Sequence, residues 1–261
     1  MWVTAVFHQV SLFSLKPADT TSTGGRSLLI PTPFSIKMAL LDGALRTYGV
    51  NAGAELFPII RDLAIAMSLP QRIIVNNCFV RILKPRREKS GSDGKKQQGD
   101  VQEVEKDEMG ETDEEIGGPY IRSVAFREYV QYSGPLGLAI QVDTSHDAEI
   151  ITSLLMQIRY IGKRGSFFQV DGPPVIQEQL PVQQRYVRLD GMETDDANAM
   201  PGYTLQLLDD CSPKLTFAKA NIYANDAIVL GKERILRHIL LPYRLAHSSQ
   251  SFTLYQRTQE S

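Results

Sequence analysis

The chain has 261 residues, 43% of them hydrophobic and 22% charged, with a formal net charge of −2. That length and apolar content suffice for one large domain or two small ones with a substantial core, and the near-neutral charge excludes a wholly basic nucleic-acid binder while leaving a local basic groove open. Two cysteines, Cys78 and Cys211, are too few for a disulfide framework, and the four scattered histidines (His8, His146, His238, His247) lack metal-ligand spacing; neither a structural metal nor a cofactor is expected.

Residues 2–14 alternate loosely and are rich in Val, Phe and Leu, which predicts a first strand rather than a signal peptide, since no basic n-region precedes them. Residues 16–27 have the Gly, Pro and hydroxyl content of a loop. Thr32 suits an N-cap and Pro33 a first helical position. Phe34, Met38, Leu41, Leu45 and Tyr48 then recur on one helical face until Gly49 stops the helix. A second helix is expected over about 53–68, with Leu56, Ile59, Ile60, Leu63 and Met67 on one side and Pro70 closing it.

Residues 72–84 read as a strand. Composition then shifts abruptly: 85–100 are basic and rich in Gly, Ser and Gln, and 101–115 are dominated by Glu and Asp. Without a core-forming pattern this stretch, to 118, cannot offset its ordering entropy by burial. Residues 120–131 and 136–143 are expected strands joined at Ser133-Gly134-Pro135, so the 85–118 insertion sits at the tip of a β-hairpin. A third helix is expected over about 145–160, with Ile151, Leu154, Leu155 and Ile158 buried and Gly162 as its stop, followed by a strand at 166–170. The order β-α-(α)-β-β-α-β is that of a ferredoxin-like unit within an α+β fold. Beyond it, 182–190, 203–208, 214–220, 226–230 and 251–257 read as short strands of an irregular β-rich part. The expected organisation is a ferredoxin-like domain over 1–170 carrying the insertion, with 171–261 packed on it. No apolar run approaches the roughly 20 residues of a membrane span, so a cytoplasmic protein without a membrane partner is expected.

Enzyme signatures are weak. There is no Gly-x-Ser-x-Gly elbow, Gly24-Gly25-Arg26-Ser27 lacks phosphate-loop spacing, and Gly162-Lys163-Arg164-Gly165 follows a helix where a dinucleotide loop would precede one. Cys78 lies in an apolar strand and reads as a small buried hydrophobe. Asp195-Asp196 and Asp209-Asp210 have loop-like flanks and read as solvated, with metal-dependent hydrolysis a weakly signalled alternative for such adjacent acids. The basic signals are stronger. Lys84, Arg86, Arg87, Lys89, Lys95 and Lys96 crowd one end of the insertion, where they suit phosphates or are balanced by its acidic half. Lys163 and Arg164 feed the aromatic pair Phe167 and Phe168, one of which alternation turns to the core. Lys232, Arg234, Arg237 and Arg244 with Tyr243 form a third set.

The first strand, the Gly-containing loop, Ile30-Pro31-Thr32-Pro33 and the helix carrying Lys37-Met38-Ala39-Leu40-Leu41 together resemble the opening of the RAMP-type CRISPR-associated proteins, and most of all the family-five type. Phe126-Arg127-Glu128-Tyr129-Val130 and Ile158-Arg159-Tyr160-Ile161-Gly162-Lys163-Arg164 are similar to the middle strands and the helix-to-glycine step of that family, and the likeness covers about 2–170. It implies a ferredoxin-like (RRM/RAMP-type) sheet with packed helices and a β-hairpin thumb where the insertion sits. It also implies a subunit that holds the 5′ handle of crRNA beside the backbone and large subunits of a Cascade-like effector, meeting target DNA or RNA only indirectly.

On that resemblance the RNA-binding residues are Arg26; Lys37, Arg46 and Arg127 along the sheet and helix surface; Lys84, Arg86 and Arg87 at the thumb base; and Lys163, Arg164 and Phe168 at the 5′ end. No catalytic residue is expected. Two other readings stay open: a metal-independent endoribonuclease using His8 or His247 as base, and a protein-interaction scaffold without direct RNA contact.

Overall fold

The structure, a computed structural model, describes residues 1–20, 25–85, 119–181, 184–191, 202–221 and 226–258. It is a mixed α/β fold of three antiparallel sheets and few helices. The insertion beyond Pro85, with Arg86 and Arg87, and Asp195-Asp196 lie outside the described residues.

The first sheet is built from β1 (Trp2–Gln9), β2 (Ala64–Ser68), β5 (Leu136–Gln141), β6 (Phe168–Val170), β7 (Val175–Gln177) and β8 (Tyr186–Arg188). Its order is β6-β1-β5-β2-β8, with β7 also on β1. Alternation along β1 sends Val3, Ala5 and Phe7 toward two helices, α1 (Pro33–Asp62) and α2 (Ser145–Met156), where they meet Ile36, Leu40, Ile151, Leu154 and Leu155. On the opposite face Trp2, Ala66 and Ala139 are covered by Leu180 and Tyr186.

β1 ends at Gln9, short of the expected 14, and the chain rejoins a sheet at Phe13, which pairs with Val130. α1 starts as anticipated. Thr32 Oγ1 accepts from the Ser35 amide at 3.1 Å, and Ser35 Oγ accepts from the Thr32 amide at 3.0 Å, with Pro33 in the first turn. Gly49, at φ +87° and ψ 175°, is non-helical and divides α1 into two helical stretches, as expected, the second running to Asp62. The expected extension to 68 is wrong, because Ala64–Ser68 is strand β2. There Ile65 and Met67 enter the main core while Ala66 joins the opposite face. A strand apolar on both faces has no periodicity to separate it from helix. α2 likewise stops at Met156 rather than 160, with Gln157 as its C-cap.

The second sheet has the order β11-β12-β3-β4, from β3 (Arg72–Pro85), β4 (Tyr120–Tyr132), β11 (Tyr243–Ser248) and β12 (Phe252–Arg257). β3 and β4 pair in unbroken register from Ile73↔Tyr132 to Pro85↔Tyr120, so the insertion joins two paired strands. The third sheet is the pair β9 (Thr204–Cys211) and β10 (Arg234–Leu241). The strand expected at 214–220 contains instead the short helix α3 (Phe217–Ala220), 226–230 forms no strand, and β7, β10 and β11 were not anticipated. One core cluster runs from Val3 through Leu189 and Leu208 to Ile239, Leu241 and Tyr243. Among the described residues no helix is long and apolar enough to cross a membrane.

One glycine is demanded by close approach. The Gly25 carbonyl accepts from the Glu128 amide at 2.7 Å, tying the loop to β4, and a Cβ there would overlap the carbonyl oxygen of Phe126. Gly25→Ala is expected to cost about 1–3 kcal/mol, the usual range for overpacking, read as a lower urea midpoint at unchanged slope.

Candidate nucleic-acid interface

A cleft of about 670 Å³ lies where α1, the 14–16 and 25–26 segments, β4, the turn after α2 and β10 converge. Its floor is apolar: Phe34, Met38, Leu41 and Leu45 of α1 with Ala220 and Ile228. Phe34, Met38, Leu41 and Leu45 belong to the stripe that their spacing places on one helical face, and the face turned to the main core carries Ile36, Leu40 and Ala44. α1 is thus apolar on two sides, and the Phe34 side forms a second cluster with Phe57, Cys211 and Leu215 that opens into the cleft.

The walls are cationic. Lys16, Arg26, Arg127, Lys163, Arg164 and Arg234 line the cleft against one carboxylate, Asp42, which Arg46 Nε holds at 2.9 Å. Lys163 and Arg164 sit between Gly162 (φ +78°) and Gly165 (φ +100°), so the glycines supply the left-handed backbone that presents both cations. Gly162 is therefore a turn glycine five residues past Gln157, not the helix stop. No carboxylate among the described residues pairs with Lys16, Arg26, Lys163 or Arg164.

Four residues singled out in the sequence thus meet here: Arg26, Arg127, Lys163 and Arg164. The others do not. Lys37 is 2% exposed, and its Nζ contacts Asp210 Oδ1 at 2.6 Å. The expectation that it lines a surface is corrected, because it lies on the buried side of α1. Phe168 is 3% exposed and packs on Phe13 and Tyr132, so it has no free face for a base; Phe167 is the outward member of the pair. Arg46 is exposed but committed to Asp42 and to the Gln157 carbonyl, 2.9 Å away. Lys84 pairs with Ile121, six positions along β3 from Cys78, the partner of Arg127. At the rise of a strand that is about 20 Å away.

Lys16, Arg234 and the Phe34 floor were missed as site residues. Arg234 stood in the third basic set, but only the pairing of β10 with β9 brings it to α1. Asp209-Asp210, read as solvated, are 1% and 5% exposed in β9. Asp209 Oδ2 accepts from Arg234 Nε at 2.7 Å, and Asp210 holds Lys37, with Arg237 Nε 3.6 Å away. The hairpin is thus locked to α1 by buried charge.

Two measurable consequences follow from the groups around the lock. Glu233, 2% exposed, accepts from Lys219 Nζ at 2.7 Å and from the Val229 amide at 3.0 Å. The Lys219 hydrogen bond, against desolvation, holds its carboxyl down from 4.5 to about 2. A depressed carboxyl stabilises the fold fully above its ordinary value and loses that contribution as pH falls through the folded one. The urea midpoint is expected to drop between about pH 5 and about pH 2, and Glu233→Gln to flatten that drop. Burial pushes the Cys211 thiol up to about 12, whereas Cys78 is half-buried on β3. A thiol reagent at neutral pH is expected to label Cys78 in the native protein and Cys211 only on unfolding; equal native labelling would contradict this packing.

No protein-family model matches the chain. It is similar to a CRISPR-associated protein of Archaeoglobus fulgidus, at 26% identity over 224 residues and 85% of each chain. That relative is CRISPR-associated protein Cas5, so the chain has a Cas5 protein as its homologue. A crystal structure of a CRISPR protein from Archaeoglobus fulgidus aligns over 99% of this chain and 92% of its own, with a TM-score of 0.41 and 12% identity.

Proposed function

We propose that the chain is a non-catalytic RNA-binding subunit of a CRISPR effector ribonucleoprotein, holding the 5′ handle of crRNA in the cationic cleft and joining the backbone subunits. The observation that carries the reading is the convergence of Lys16, Arg26, Arg127, Lys163, Arg164 and Arg234 on a cleft with an apolar floor. Cations neutralise phosphates and release counterions, while apolar and aromatic surface takes unstacked bases. Similarity to a Cas5 protein supports the same reading. The strand order β6-β1-β5-β2, with α1 and α2 as connections, fits a ferredoxin-like unit, and the β3–β4 hairpin leaves it between the second and third strands, where a thumb is proposed. The shared core favours a part beyond 170 packed closely on that unit.

No histidine is among the described residues lining the cleft. His8, in β1, is paired with exposed Asp171 at 3.1 Å, and His247 packs against Phe252. This favours binding over cleavage. The deciding experiment is affinity for single-stranded RNA across a salt series, combined with incubation of a repeat RNA in EDTA. Salt-dependent binding without cleavage is expected. Specific cleavage abolished by His8→Ala or His247→Ala would replace the non-catalytic reading, and salt-insensitive or absent binding would favour a protein scaffold.

A further inference from the structure

One end of the cleft is built differently from the rest. Phe34, in the first turn of α1, is half-buried, and Arg234 Cζ lies 4.3 Å from its ring centroid. The guanidinium is anchored through Nε to Asp209 Oδ2 at 2.7 Å, and Asp209 is itself 1% exposed. A stacked and pinned guanidinium has lost its rotamer freedom before any ligand arrives, which lowers the entropic cost of using it. Its side chain is still 28% exposed and lines the cleft, and among the described residues its two terminal amino groups make no hydrogen bond. Met38, Leu41 and Ile228, which cluster with Phe34, line the same cleft.

A phosphate alone would use the cations and leave this apolar floor idle. An aliphatic side chain would use the floor and leave four guanidinium N–H donors unpaired. A nucleotide uses both, with its base lying on the planar cation and the apolar floor and its phosphate oxygens accepting from the in-plane N–H donors. We propose that Arg234, seated on Phe34 and fixed by Asp209, is a stacking platform for one unpaired nucleobase, with Lys163, Arg164 and Arg26 taking the flanking phosphates. The proposal rests on the RNA-binding reading of the cleft and adds to it a base-holding end.

The test compares oligoadenylate with an abasic ribose-phosphate strand of equal length, each titrated by fluorescence anisotropy against the full chain. Wild type is expected to favour oligoadenylate by about tenfold or more, the scale of base stacking. Arg234→Lys keeps the charge and the reach to Asp209 but loses the plane, and Phe34→Leu keeps apolar volume but loses the ring. In each, with the urea midpoint matched to wild type, the preference is expected to fall toward one. Should Arg234→Lys unfold, Phe34→Leu decides. An undiminished preference in the folded variants, or equal binding of both strands by wild type, overturns the platform and leaves the RNA-binding reading standing. Absence of salt-dependent binding to either strand overturns both.

Discussion

Reversing charge at Lys163 and Arg164 is expected to weaken single-stranded RNA binding on the order of a hundredfold at low salt, and to flatten the logarithmic salt dependence by about 0.7 for each phosphate that is no longer neutralised. Both cations are exposed, flank the same cleft and have no carboxylate partner among the described residues, so reversal removes two attractive charges and adds two repulsive ones without opening a buried ion pair. Folding stability should stay close to wild type, as is usual for surface substitutions. Adding Arg26→Glu and Arg127→Glu should flatten the slope further, while Lys84→Glu, far along β3, should not share this effect on the cleft. A Lys163→Glu/Arg164→Glu chain with the affinity and salt slope of wild type would separate the cleft from RNA.

The second large effect concerns stability. Lys37 and Asp210 side chains are 3% and 8% exposed, with Nζ and Oδ1 2.6 Å apart. Removing one partner of such a pair leaves an uncompensated buried charge and costs about 3–5 kcal/mol, a large part of the roughly 5–15 kcal/mol that holds a typical domain together. The two halves are not equivalent. Lys37→Met leaves Asp210 with Arg237 at 3.6 Å and with the Cys211 amide donating to Oδ1 at 2.7 Å. Asp210→Leu strands Lys37, loosens Arg237 and orphans that amide, and is expected to be the more damaging. The double variant should recover most of the loss, since apolar replacement of a buried pair is often neutral or stabilising. Urea unfolding of the two single variants and the double closes the cycle. Equal and small losses in both single variants would show that the pair is not the lock between β9 and α1. The same lock positions Arg234, so Asp210→Leu is also expected to weaken RNA binding without touching the cleft.

Sequence patterns were informative wherever a local rule had one solution. Thr32-Pro33 with Ser35 made the start of α1 legible, because the cap uses only neighbouring atoms. The β3 and β4 strands were legible from β-rich runs on either side of a composition break. Local patterns failed where a segment is buried on more than one side. Ala64–Ser68 reads as helix, and the spacing shows one apolar side of α1, with Phe34, Met38 and Leu41, but not the second, with Ile36 and Leu40, that faces the sheet. They also failed for β10 and β11, whose partners lie up to tens of residues away and whose alternation is broken by Arg234, Arg237 and Arg244.

The candidate site divides along the same line. The sequence by itself determined that Gly162-Lys163-Arg164-Gly165 is a cationic turn, that Arg26 and Arg127 are basic residues of a loop and a strand, and that the family resemblance points to guide RNA. Only the tertiary structure decided which cations share a space. It sent Lys37 inward to Asp210 and Phe168 into the core, and it carried Arg234 from the far end of the chain onto Phe34. The physical reason is that charge and aromaticity are properties of a residue, whereas burial is a property of what packs against it. A lysine on a helix becomes a surface contact or a buried lock according to whether a carboxylate from elsewhere in the chain arrives to meet it.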